Sequence, residues 1–268
     1  MKGKNIHIEH PEVWELLVSI DGKQVNYILH SPSVPGSLII DGAELTADTL
    51  QALEDAIYDN EVLLNEYKRV RVVVHSQHFV LLPIDTPDDD CVALVHQAFP
   101  TDQGDVVLNV MSASNVKLVF LVPHGMQAFL GRTFNYPIVY HHMWPLCEHF
   151  KGIEAAGGLS RMFLNVNEGR MDMAIYRRGE LMCANSYTFT SNEDATYYAL
   201  NAWRSYGLDQ LADEIQLLGD NTVRNEMTPH LRQYVKHVMP AVYPAAAMQL
   251  GHNAMQAPLE LILLALCE

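Results

Sequence analysis

The sequence predicts an α/β fold of two tandem lobes, each with the element order β-β-β-α-β-α-β-α. Three observations predict it. A meander of three strand-like runs opens each half: WELLVSI, QVNYILH and SLIIDG in the first, MFLNVN, MDMAIYRR and ELMCANSYTF in the second. Each meander is followed by a helical pattern and then by alternating strands and helices, the arrangement that extends an antiparallel hairpin into a parallel sheet through right-handed crossovers. Between the halves, GIEAAGGLSR from Gly152 to Arg161 carries small residues and the pair Gly157-Gly158, which sets lobes of 1–154 and 155–268.

In the first lobe, WELLVSI and QVNYILH are joined at Asp21-Gly22-Lys23, an Asp-Gly pair of the kind that suits a type I′ hairpin turn. After SLIIDG, the run LTADTLQALEDAIYD predicts a helix with Thr46 as N-cap and Leu50, Leu53 and Ile57 facing inward. RVRVVVHS, DVVLNVMS, VKLVFLVP and IVYHH read as strands, and an extra strand pair around Arg71 to Ile84 reads as an insertion. Helices are expected in DDDCVALVHQAF, near Met126 to Leu130 and from Trp144 to Phe150. Asp88, Asp89 and Asp90 suit a helix N-terminus, where the dipole favours negative charge.

In the second lobe, NEG and RGE supply the hairpin turns of the meander. Ser191 caps a helix with Glu193 and Asp194 in its first turn, Ala195, Tyr198, Ala199 and Ala202 at helical spacing, and Gly207 as its stop. The strand EIQLLG, a helix from Thr222 to Tyr234, the strand VKHVMP and a final helix in PLELILLAL, with Pro258 suited to its first turn, complete the order.

Composition narrows the function. The 268 residues are 49% hydrophobic, enough for a substantial core. No apolar run reaches the roughly 18 residues of a membrane helix, and the N-terminus lacks the apolar stretch of a signal peptide, so no membrane insertion and a cytoplasmic location are expected. Seventeen Lys and Arg against 32 Asp and Glu give a net charge of −15, which argues against nucleic acid. The one tight basic cluster, Lys68, Arg69 and Arg71, is expected to be a solvated edge before a buried strand. Cys91, Cys147, Cys183 and Cys267 have neither disulfide nor zinc spacing.

The two meander-led halves have the ribonuclease H-like order, and in tandem they resemble the actin-like ATPase superfamily, in which nucleotide lies between the lobes. The run from MFLNVNEGRMDMAIYRRGELMCANSYTFTSNEDATYYAL through EIQLLGDN is similar to a bacterial family of uncharacterised proteins, domain of unknown function 3822, whose members resemble the lobes of pilus assembly protein M. That resemblance carries no known activity. It implies a phosphate-holding hairpin turn in each lobe, normally Asp-x-Gly followed closely by Ser or Thr, and a Gly-Gly after a strand for adenosine. The matching positions are Asp21, Gly22 and Lys23 in SIDGKQVNY, Asn167, Gly169 and Arg170 in NVNEGRMDM, and Gly219 in LLGDN.

All three elements depart from the pattern. No hydroxyl residue closely follows Gly22, Asn167 replaces the acid that would hold magnesium-bound water, and Gly219 stands alone. The expectation is therefore a degenerate actin-like protein without cofactor, acting as a binding or scaffold module for a protein partner, as kinship with pilus assembly protein M suggests. The alternative is a divergent ATPase or kinase that binds ATP with magnesium through the turn amides, aided by Lys23 or Arg170. Other chemistry is not supported. The first strands offer no inward acid beyond Glu15 for a two-metal nuclease. His141, His142, Cys147 and His149 surround an apolar stripe of Met143, Leu146 and Phe150, which predicts a packed helix rather than a metal site. Ser19, Ser160 and Ser186 lack a Gly-x-Ser-x-Gly setting.

Overall fold

The computed structural model describes residues 7–154 and 159–267, so Gly157-Gly158 lies outside the described residues. The chain forms two compact units: one holds residues up to 110, 116–145 and those from 244 on, the other 111–115 and 146–243.

The first unit is built on β1 (Glu15–Asp21), β2 (Gln24–Ser31), β3 (Val34–Glu44), α1 (Leu50–Tyr58), β4 (Arg69–Val74), β5 (Phe79–Pro83), α2 (Asp88–Ala98), β6 (Asp105–Met111), β7 (Val116–Val122), α3 (Met126–Thr133) and β8 (Ile138–His141). Its main sheet has the order β3-β2-β1-β4-β8, with β1 antiparallel to β2 and parallel to β4, and β4 parallel to β8. The meander-then-crossover reading is borne out here. Leu16, Val18 and Ile20 alternate with Leu17 and Ser19 along β1, and all five are buried, as expected of a strand covered on both faces.

Two details differ from the sequence reading. Thr49, not Thr46, caps α1, its side chain accepting from the Ala52 N–H. Residues 45–49 are irregular, and Asp48 sits against the β1–β2 turn, within 2.6–2.8 Å of where a Cβ on Gly22 would lie. Leu53 and Ile57 are buried as expected. Nor do Arg71 to Ile84 form a strand pair: β4 belongs to the main sheet, whereas β5 joins a separate three-stranded sheet of order β5-β7-β6, against which α2 packs through Cys91 and Val95. Periodicity finds strands but not their partners.

An asparagine side chain hydrogen-bonds the small sheet to the large one. Asn109 on β6 donates through Nδ2 to the Val139 carbonyl at 2.8 Å and accepts the His141 N–H through Oδ1 at 2.7 Å, so it replaces a residue of a sixth strand along β8. Asn109 is buried. Asn109→Ala leaves both backbone groups unpaired and is expected to cost about 2–4 kcal/mol in equilibrium urea unfolding.

After α4 (Met143–Glu154), the second unit contains β9 (Ser160–Asn167), β10 (Arg170–Arg177), β11 (Glu180–Thr188), α5 (Asn192–Ser205), β12 (Glu214–Gly219), α6 (Asn221–Leu231) and β13 (His237–Pro240). Its sheet order, β11-β10-β9-β12-β13, repeats that of the first unit. Met162, Leu164, Val166, Met171, Met173 and Ile175 face the buried side of α5 and α6, including Ala195, Ala199 and Met227. Ser191 caps α5 and Gly207 follows it at φ +63, as the sequence predicts.

Residues from 244 return to the first unit, with α7 (Ala247–Leu250) against β3 and α8 (Leu259–Leu266) against β1. Leu261 through Leu264 are 0–1% exposed, so α8 is a core helix. No helix among the described residues is long and apolar enough to cross a membrane.

Candidate functional site

In the first unit, β1 and β2 close through Gly22 and Lys23, neither of which has a positive φ, so the expected type I′ turn is not formed. The cause is Asp21. Its Oδ1 accepts the backbone N–H groups of Lys23 and Gln24, both at 2.8 Å, and Oδ2 accepts from Gln24 Nε2 at 3.3 Å. An acid in first position favours the unprimed turn that follows it. A Cβ on Gly22 would meet the far end of the exposed Asp48 side chain at 2.6–2.8 Å, which can turn aside. The turn therefore presents Asp21 and Asp48 beside its one cation, Lys23.

In the second unit, β9 and β10 close through Glu168 and Gly169, with Asn167 paired to Arg170. Gly169 has φ +73, a left-handed conformation that suits glycine. Gly219, at the end of β12, pairs with Val166, one residue before Asn167. Its φ is +91, and a Cβ there would lie 2.1 Å from the Val166 carbonyl oxygen. Asp220 then donates its N–H to the same oxygen at 2.7 Å and caps α6 by accepting from Thr222 and Val223. Asn167, Gly169, Arg170 and Gly219 are thus gathered at one end of this sheet, whereas Asp21, Gly22 and Lys23 belong to the other unit.

Sequence reasoning missed a carboxylate beside Arg170. Asp172, 1% exposed, accepts from Ser186 Oγ at 2.7 Å and Asn165 Nδ2 at 3.1 Å, with Arg170 Nε at 3.6 Å. Asn165 Oδ1 is buried without a hydrogen-bond partner. Strand alternation was the available signal: Met171 and Met173 point to the helices, so Asp172 points away from them.

The first unit holds a second buried polar group, under α8. Ser19 Oγ donates to Glu260 Oε1 at 2.9 Å, and His75 Nε2 lies 3.0 Å from Ser19 Oγ and 2.9 Å from the same Glu260 oxygen. A nucleophilic triad needs the base and the orienting acid on opposite ring nitrogens. Here Nε2 makes both contacts and the serine hydrogen goes to Glu260.

Nearby, Arg71 donates to Glu15 at 3.0 Å and to the carbonyls of Leu264 at 2.6 Å and Cys267 at 3.0 Å. The basic cluster is thereby divided: Arg71 is buried, while Lys68 and Arg69 are exposed. Burial lowers the His30 imidazole beside Glu15, the Glu15 charge opposing and Arg71 reinforcing this.

Met143, Leu146 and Phe150 are buried along α4, as the stripe predicts. Desolvation pushes the Cys147 thiol and the Tyr176 phenol far up and raises Cys183, so none of the three is a ready nucleophile. Among the described residues there is no group of three or more His, Cys, Asp or Glu that could hold a metal ion.

The sequence profile of the family described as "Protein of unknown function (DUF3822)" matches residues 3–238. The chain belongs to this family. A solved neighbour in fold is a protein of Bacteroides thetaiotaomicron VPI-5482 with actin-like ATPase fold and unknown function, 20% identical, with a TM-score of 0.80 over 96% of this chain and 97% of that one. A second is the PilM-PilN type IV pilus biogenesis complex, 13% identical, with a TM-score of 0.58 over 94% and 98% of the two chains. No protein of curated function matches. This DUF3822 member therefore has the two-lobed actin-like ATPase fold.

Proposed function

We propose that the chain is a non-catalytic actin-like protein, a cytoplasmic module that binds a protein partner and has given up nucleotide hydrolysis. One observation carries the reading: in the first unit's hairpin, Asp21 occupies the Lys23 and Gln24 N–H groups that a phosphate would need. Backbone amides bind phosphate only where they are unpaired, and Asp48 adds a second negative charge at the turn. In the second unit, Arg170 leans on Asp172 and Gly219 is filled against Val166, which gives both residues structural work. A protein partner is supported by the likeness to PilM, seen in complex with PilN.

Thermal unfolding with millimolar ATP and magnesium tests the reading, because a ligand selective for the native state raises the midpoint. No rise is expected. A saturable rise would overturn the proposal, and its loss in Lys23→Glu would locate the nucleotide at this turn.

A further inference from the structure

Sheet edges are templates for pairing, and proteins guard them with prolines, charges, short strands or covering groups. Among the described residues, every sheet edge but one carries such a guard. The edge of β3 carries Pro35, Asp41 and Glu44, and Asn109 occupies that of β8. Arg232 donates to the Val238 carbonyl on β13. Along β6, Gln127, Asn109 and Trp144 donate to the carbonyls of Val106, Leu108 and Val110. β5 has five residues and ends in Pro83.

The remaining edge, β11, runs for nine residues. A bulge at Met182, between the pairs Ile175–Cys183 and Tyr176–Leu181, distorts its start. Beyond it, Cys183 to Thr188 is a regular edge with no charge and no proline, and no side chain donates to its carbonyls among the described residues. Its one cap is local: Asn185 Oδ1 accepts the Ser186 N–H at 2.9 Å. That bond shows the Ser186 amide turned away from β10, and by strand alternation the Ala184 amide turns the same way.

We propose that this edge pairs antiparallel with β11 of a second copy of the chain, about a two-fold axis through Asn185. This register follows from the outward amides. Ala184 and the partner's Ser186 form one hydrogen-bonded pair and symmetry supplies the other, while Asn185 faces the partner's Asn185 across the axis. One isologous contact satisfies both open edges. On a chain of net charge −15, a second copy is repelled by most of the surface, and the uncharged Cys183–Thr188 segment is where two identical edges meet without like charges opposite one another.

Sedimentation velocity at high concentration should give twice the 30.2 kDa chain mass. Asn185→Lys sets two like charges face to face on the axis, and Ala184→Pro removes an outward N–H. Each is expected to weaken association at least about tenfold. Amide exchange at Ser186 in the unaltered chain should slow as concentration rises, a readout that needs no variant to fold. A monomer at all concentrations, or a dimer that both substitutions leave intact, would overturn the proposal.

Discussion

Gly219→Ala is expected to destabilise the second unit by roughly 2–5 kcal/mol, the sum of a left-handed non-glycine residue and an overpacked contact. The Cβ would be driven to 2.1 Å from the Val166 carbonyl oxygen and 2.8 Å from two further backbone atoms of Val166, none of which can swing aside as a side chain could. Relief requires β12 to move from β9, which also breaks the Asp220 N–H bond to that oxygen. Gly179→Ala separates the two causes: its φ is +80 but nothing lies within 4 Å of the added carbon. It should therefore cost only about 1–2 kcal/mol, the backbone part alone. Urea unfolding of both variants decides the matter, and equal losses would mean that the contact at Val166 contributes nothing.

The second large effect is at Arg71. Arg71→Met removes the 3.0 Å partner of buried Glu15 and the donor that serves the carbonyls at the end of α8. Breaking one member of a buried ion pair costs about 3–5 kcal/mol, mostly because the other charge stays behind in a poorly solvating site. Glu15→Gln combined with Arg71→Met should therefore be less destabilised than Arg71→Met alone, although it has lost more groups. Arg71→Lys keeps the charge but lacks the fork that reaches a carboxylate and two carbonyls together, and should recover only part of the loss. A double-mutant cycle in urea provides these comparisons. Additive losses would show that Glu15 and Arg71 are not coupled.

The repeated element order was legible because both signals behind it are local. The meanders of β1–β3 and β9–β11 announce themselves through short turns, and α1 and α5 through helical spacing of Leu53 with Ile57 and of Ala195 with Ala199. Long-range partners were not legible. LELILLAL identifies a buried helix, but nothing in its eight residues says which sheet it covers. RVRVVV and FVLLP read alike as strands, yet they enter different sheets.

At the candidate site, the positions of Asp21, Asn167, Gly169 and Gly219 could be found by pattern. What the side chains do could not. That Asp21 turns back onto its own turn amides, and that Asp172 receives Ser186 and Asn165, depends on atoms brought together by register rather than by spacing.

The return of the chain to its first unit has a consequence during synthesis. Ser19 and Glu260 are 241 residues apart, and Arg71 and Leu264 are 193 apart. On the ribosome, residues 146–243 can emerge and close their own sheet while β1 still lacks the helix that covers it. At about 5–20 residues per second, that face waits many seconds for Glu260 and Leu264. The unit whose strands are made earlier is thus completed by the later helix, and those strands must be kept from other chains until that helix arrives.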